Sequence, residues 1–102
     1  MKKLKWYYKN GTAHEIFSVL YEDVDFILVQ NDNTKNFSFG LKRDFGTLYG
    51  FPVNQSCLTP DELKKQLQAF IKIDKKYYNE CPHEWFNENI ARWQNMIKAA
   101  AI

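Results

Sequence analysis

Arginine is almost missing from this chain. Of its fourteen cationic residues only Arg43 and Arg92 are arginines, and the rest are lysines. The planar guanidinium is the usual group for gripping bases and phosphates through paired hydrogen bonds, so its scarcity argues against sequence-reading of nucleic acid. A surplus of one sign of charge is missing too. The formal net charge is +2, whereas a dedicated nucleic-acid binder is expected to be clearly basic. Cysteine is limited to Cys57 and Cys81, too few for a disulfide framework and consistent with reduced thiols in a cytoplasm. No run approaches the ~18 apolar residues of a membrane span. The lysines of MKKLKWYYKNGT are not followed by the apolar stretch of a secretion signal. There is also no repeat, linker or low-complexity tract. These absences set the expectation of a cytoplasmic protein without a membrane partner.

What is present is globular in balance. With 102 residues, 45% hydrophobic and 25% charged, residues 1–102 are expected to form a single domain with a modest core. Aromatics are in excess, with eight Phe, six Tyr and three Trp. Each hides on the order of 150–250 Å² when enclosed. A core of this size should not hold them all, so some Tyr or Trp is expected at the surface, where such side chains anchor partners.

The apolar spacing changes near residue 57, dividing the domain into a β-rich half (1–57) and a two-helix half (58–102). LKWYYK alternates, and Asn10-Gly11 supplies the positive-φ pair of a tight hairpin. HEIFSVLY forms the return strand. EDVD is an acidic turn, and DFILVQ is a continuous apolar strand, expected to be central and covered. NDNT turns again, and NFSFGLKR places Phe37, Phe39 and Leu41 on one face. The stretch DFGTLYGFPVNQS reads as an irregular connection with room for a short fifth edge strand at Thr47–Tyr49. A four-stranded antiparallel β-meander is therefore expected.

Thr59, Pro60 and Glu62 give a complete helix start, with Leu58 and Leu63 placed for a hydrophobic staple. At about 100° per residue, Leu63, Leu67, Phe70, Ile71 and Tyr77 fall on one side, and Lys64, Lys65, Lys72, Lys75 and Lys76 on the other. This helix is expected to end near Tyr78. Pro82 fits the first turn of a second helix, in which Phe86, Ile90, Trp93 and Ile97 form a stripe flanked by Trp85 and Met96. The fold class is thus α+β: the meander followed by two C-terminal helices packed on one face.

Candidate chemistry fails on its required residues. In NECPHEWFNENI, His83-Glu84 begins like a zinc-hydrolase helix, but the second histidine is replaced by Asn87. Cys57, Cys81, His83 and His14 offer zinc-binding atoms at the wrong spacing. Whether these four converge in space is not readable from the sequence. His14 and His83 could form an acid/base pair only by converging on one substrate, and nothing beyond residue type supports that. No nucleophile elbow or phosphate loop is present. No catalytic residue, metal or cofactor is expected. Asp74 and Asn89 interrupt the apolar stripes. Asp74 is expected to reach water where the helix rises off the sheet, and Asn89 to be buried against a backbone group.

Two surfaces are left. The acidic turn Glu22, Asp23 and Asp25 lacks the glycine and spacing of a calcium loop, and could instead present charge to a basic partner. The five-lysine helix face could track a phosphate backbone, although wet helix faces commonly look like this. In size, lack of motif and Lys/Asn-rich composition, the chain loosely resembles the immunity proteins that bacteria make against nuclease toxins, or a small phage inhibitor. No residue motif carries that likeness. It implies a protein partner, a toxin with a basic active-site cleft, occluded by an acidic and aromatic patch. The expected contacts are Glu22, Asp23 and Asp25, with Asp44 and Tyr49 from the adjoining loop. Nucleic acid is the alternative partner.

Overall fold

The computed structural model describes residues 2–7, 13–42 and 58–102, and of residues 6, 7, 13 and 14 the backbone alone. The chain divides into two compact units, Met1–Thr59 and Pro60–Ile102.

The first unit is a four-stranded antiparallel meander: β1 (Lys3–Tyr7), β2 (Ala13–Glu22), β3 (Phe26–Asn31) and β4 (Phe37–Leu41), in that spatial order. The period-two reading of the sequence is therefore correct in strand number, order and direction. The Asn10-Gly11 turn and the Thr47–Tyr49 edge strand lie outside the described residues. Strand β3 is interior, and Ile27, Leu28 and Val29 are buried in succession. Successive strand residues face opposite ways, so the sheet is covered on both faces there, which explains an apolar run where a half-exposed strand would alternate. Phe17, Ile27 and Val29 form one cluster, with Leu4 and Val19 against it. The register shifts between Val19 and Tyr21, inserting Leu20 as an extra residue and bending β2 near the acidic turn. Beyond β4, Leu58 exchanges both backbone hydrogen bonds with Phe37, at 2.7 and 2.8 Å. This partly closes a strand edge that the sequence pattern leaves open.

Side chains, more than glycines, build the connections. Between β3 and β4 the buried Asn31 accepts from the backbone N–H groups of Asn33 (2.8 Å) and Thr34 (3.1 Å). This is the asparagine-specific turn that mimics a backbone turn. It places Lys35 in the left-handed region at φ 65°, an uncommon position for a residue with a Cβ.

The second unit is a helical hairpin of α1 (Pro60–Glu80) and α2 (Glu84–Ala100). Helix α1 starts where Thr59-Pro60 requires, and it runs two residues past the expected end at Tyr78. Helix α2 begins later than Pro82 suggests. Pro82 lies outside it, and His83 is the N-cap, extended at φ −126°, with Nδ1 accepting from the Trp85 N–H at 3.0 Å. A side-chain acceptor at the cap satisfies one of the otherwise unpaired first-turn donors, so the helix begins at the residue that offers one. The helix closes on Ala101 at φ 57°. Ala101 N–H donates to Lys98 and Ile102 N–H to Ile97, the double bond of a left-handed helix end.

Leu63 and Leu67 from α1, and Asn89, Trp93 and Met96 from α2, are buried. One polar contact ties the pair. Trp93 Nε1 donates to Asp74 Oδ2 at 2.8 Å, so Asp74 is half-buried and bonded to an indole from the other helix instead of released to water. Asn89 is buried as expected, yet its partner is the Arg92 side chain (Nη1 to Oδ1, 2.7 Å), not the backbone. No helix among the described residues is long and apolar enough to cross a membrane.

Candidate functional site

The acidic turn uses its carboxylates unequally. Asp23 is structural: Oδ1 accepts from the N–H groups of Asp25 (2.9 Å) and Phe26 (2.8 Å), and Oδ2 from the Tyr21 hydroxyl (2.7 Å). Its side chain therefore shapes the β2–β3 turn. Glu22 is held between two cations, Lys42 Nζ at 2.6 Å and Lys2 Nζ at 3.1 Å. The hydrogen bond from Lys42, then that from Lys2, holds its carboxyl below the usual glutamate range. Asp25 is the carboxylate of the three that has neither a cation nor a side-chain donor among the described residues. Its carbonyl accepts from Lys42 N–H at 2.7 Å, and Val24 beside it is almost wholly exposed. Among the described residues the turn thus presents one carboxylate without a side-chain partner and one apolar side chain. Asp44 and Tyr49 lie outside the described residues.

On the same sheet, Asp32 accepts from Lys3 Nζ at 2.8 Å and from the Ser18 hydroxyl. These bonds, Lys3 first, hold its carboxyl below the ordinary aspartate range. The group ties β1, β2 and the β3–β4 turn together.

A second surface lies at the connection end of the helical hairpin. The Tyr77 ring sits 5.8 Å from Phe86, and Phe86 sits 5.3 Å, edge-on, from Trp85. These are ordinary distances for favourable aromatic contact. The row is nevertheless open to water: Tyr77 is 49% and Trp85 55% exposed. Further along, Phe70 packs at 5.3 Å on Trp93, and the Arg92 guanidinium lies over Trp93 at 5.8 Å from the ring centre. Ile73, one turn before Tyr77, is also exposed. The helical stripe named Phe70 and Tyr77 as inward-facing; only Leu63 and Leu67 of that stripe are buried, with Ile71 in between.

Three glutamates border the ring row. Glu80 follows Tyr77 by one turn, Glu84 precedes Trp85, and Glu88 follows Trp85 by one turn. Residues three apart, as Tyr77 and Glu80 or Trp85 and Glu88, are neighbours on a helix surface, and Glu84 is the neighbour of Glu88 one turn on. None of the three takes part in an ion pair among the described residues. Arg92, placed one turn after Glu88, turns instead to Asn89 and the Trp93 ring. The sequence signal for this surface is the aromatic surplus, which implies that some rings are exposed but not which.

Of the candidate catalytic groups, the structure describes the side chains of His83 and Cys81. His83 is exposed and spent on the helix cap, and Cys81 is an exposed free thiol. The His14 side chain and Cys57 lie outside the described residues. Among the described residues no three His, Cys, Asp or Glu side chains are grouped to hold a metal ion. No buried side-chain nitrogen or oxygen lacks a partner there. The lysines of α1, Lys64, Lys65, Lys72, Lys75 and Lys76, are all exposed and take part in no ion pair among the described residues. Neither the family models, the curated proteins nor the solved structures contain a match to this chain.

Proposed function

We propose that this chain is a small protein-binding inhibitor, of the kind exemplified by the immunity proteins that neutralise nuclease toxins, acting in the cytoplasm by covering a partner's basic active-site cleft. The observation that carries the reading is the exposure of Tyr77 and Trp85 on the helical pair. Rigid aromatic side chains lose little entropy on contact and dominate the energetics of protein interfaces. The acidic turn contributes through Asp25, with Glu22 and Asp23 shaping it and Asp44 and Tyr49 as further proposed contacts. Occlusion needs no chemistry from the inhibitor, only a complementary surface of about 800 Å².

The test is a complex of one-to-one stoichiometry, purified from the native host and resolved by mass spectrometry, whose partner loses its activity when the chain is added. A chain that stays alone at cellular concentrations refutes the reading.

The lysine face of α1 supports a second reading, binding along a phosphate backbone. It requires affinity for RNA or DNA that falls steeply with salt, and a shallower salt slope when Lys65, Lys72 and Lys76 become Ala. Weak binding insensitive to those changes removes it.

A further inference from the structure

The geometry points to the tip of the helical hairpin, the rings of Tyr77, Phe86 and Trp85 with the carboxylates of Glu80, Glu84 and Glu88, as the contact surface for a cationic protein partner, one that sets lysines or arginines around an apolar contact. This rests on the protein-inhibitor reading and relocates its main contact from the acidic turn to the helices.

Three observations carry it. The first is charge. Of the carboxylates in the acidic turn, two are already engaged, Glu22 by Lys42 and Lys2 and Asp23 by its own turn. At the hairpin tip none of the three glutamates has an ion-pair partner among the described residues. Glu84 and Glu88, one turn apart on α2, repel each other, and Arg92 does not relieve Glu88 because Asn89 holds it. A cation from outside would satisfy what the fold leaves open. The second is area. With roughly half of each ring exposed, Tyr77 and Trp85 offer on the order of 200 Å² of aromatic surface. That is about a quarter of one side of a standard interface, enough for an anchoring centre bordered by charge. The third is rigidity. The rings stack in a row through Phe86, Trp93–Asp74 locks the helices beside them, and the His83 cap fixes the start of α2. A preorganised surface loses less entropy on binding. Charge complementarity decides against a second copy as occupant, because stacking two such tips would bring the same three carboxylates together.

The experiment places a benzoylphenylalanine cross-linker at position 85, and separately at 24, in the native host. The captured partner is identified and purified, and its Kd is measured for the unaltered chain and for Trp85→Ala, for Glu88→Lys with Glu80→Lys, and for Asp25→Lys. The expected result is cross-linking from position 85 to a protein with a basic surface, a loss of ~30-fold or more with Trp85→Ala, and an association rate that drops with the lysine substitutions and loses its salt dependence. Unchanged far-UV circular dichroism confirms that the variants fold. A complex weakened by Asp25→Lys but indifferent to Trp85→Ala and the glutamate reversals overturns this inference and leaves the inhibitor reading standing. Cross-links from position 85 to nucleic acid or to a second copy of the chain overturn it as well. Failure to form any complex overturns both.

Discussion

Replacing Trp93 by Phe probes the bond that joins the two helices. The indole N–H of Trp93 donates to Asp74 across 2.8 Å, and Asp74 is only half-buried. A hydrogen bond to a charged acceptor contributes about 1.5–3 kcal/mol, and partial solvent access places this one at the low end, near 1.5 kcal/mol. Trp93 is itself buried and packs on Phe70, so the smaller ring loses a further ~1 kcal/mol of contact. The expected cost of Trp93→Phe is therefore about 2.5 kcal/mol, and a melting temperature lower by about 10 °C. Asp74→Ala removes the bond without touching the ring, and should cost about 1.5 kcal/mol. Urea unfolding followed by far-UV circular dichroism gives each value without relying on tryptophan fluorescence. The decisive quantity is the coupling in the double variant. If the bond is real, the two losses overlap by about 1.5 kcal/mol; additivity to within ~0.3 kcal/mol, as for independent sites, refutes the tie. Asp74→Asn keeps an acceptor for the indole and should fall between the unaltered chain and Asp74→Ala.

Three further outcomes follow from local geometry. His83→Asp should stabilise α2 by about 0.5–1 kcal/mol in urea unfolding, since a carboxylate is both a preferred cap and favourably placed at a helix N-terminus; destabilisation would contradict the cap assignment. Lys35→Gly should raise stability by about 0.5–1 kcal/mol, because glycine reaches φ 65° without the Cβ clash; a loss would mean that the turn does not hold that angle in solution. The sheet should also weaken in acid: the carboxyls of Glu22 and Asp32 lie below their ordinary ranges when folded, so their contribution is complete above the ordinary carboxylate range and is lost as pH falls through the lowered values. For the exposed Glu22 pairs this contribution is at most about 1 kcal/mol, and Glu22→Gln should flatten that part of the profile; an unchanged acid slope would remove the ion pairs from the account.

Much of the fold was legible because local rules govern it. Period-two spacing, turn residues and the Thr59-Pro60 start act over a few positions, and these gave the number and order of elements. Pro82 and His83-Glu84 both mark the start of α2 in the sequence, and the cap falls on His83 because its ring nitrogen accepts the Trp85 N–H, a matter of ring orientation. The candidate site was less legible. The acidic turn is three carboxylates by sequence, but its character depends on Lys2 and Lys42, which lie far away along the chain and arrive just before β1 and just after β4.

The amino-acid pattern by itself determined an α+β chain with four antiparallel strands, two helices and more rings than its interior can hold. Only the tertiary structure decided which rings are outside. Trp85 and Met96 occupy nearly the same angular position on α2, yet Met96 is completely buried and Trp85 is 55% exposed. Helical spacing reports the angle around the axis. It is silent on height, and the two residues stand roughly 16 Å apart along it, one where the hairpin packs and the other at its open tip.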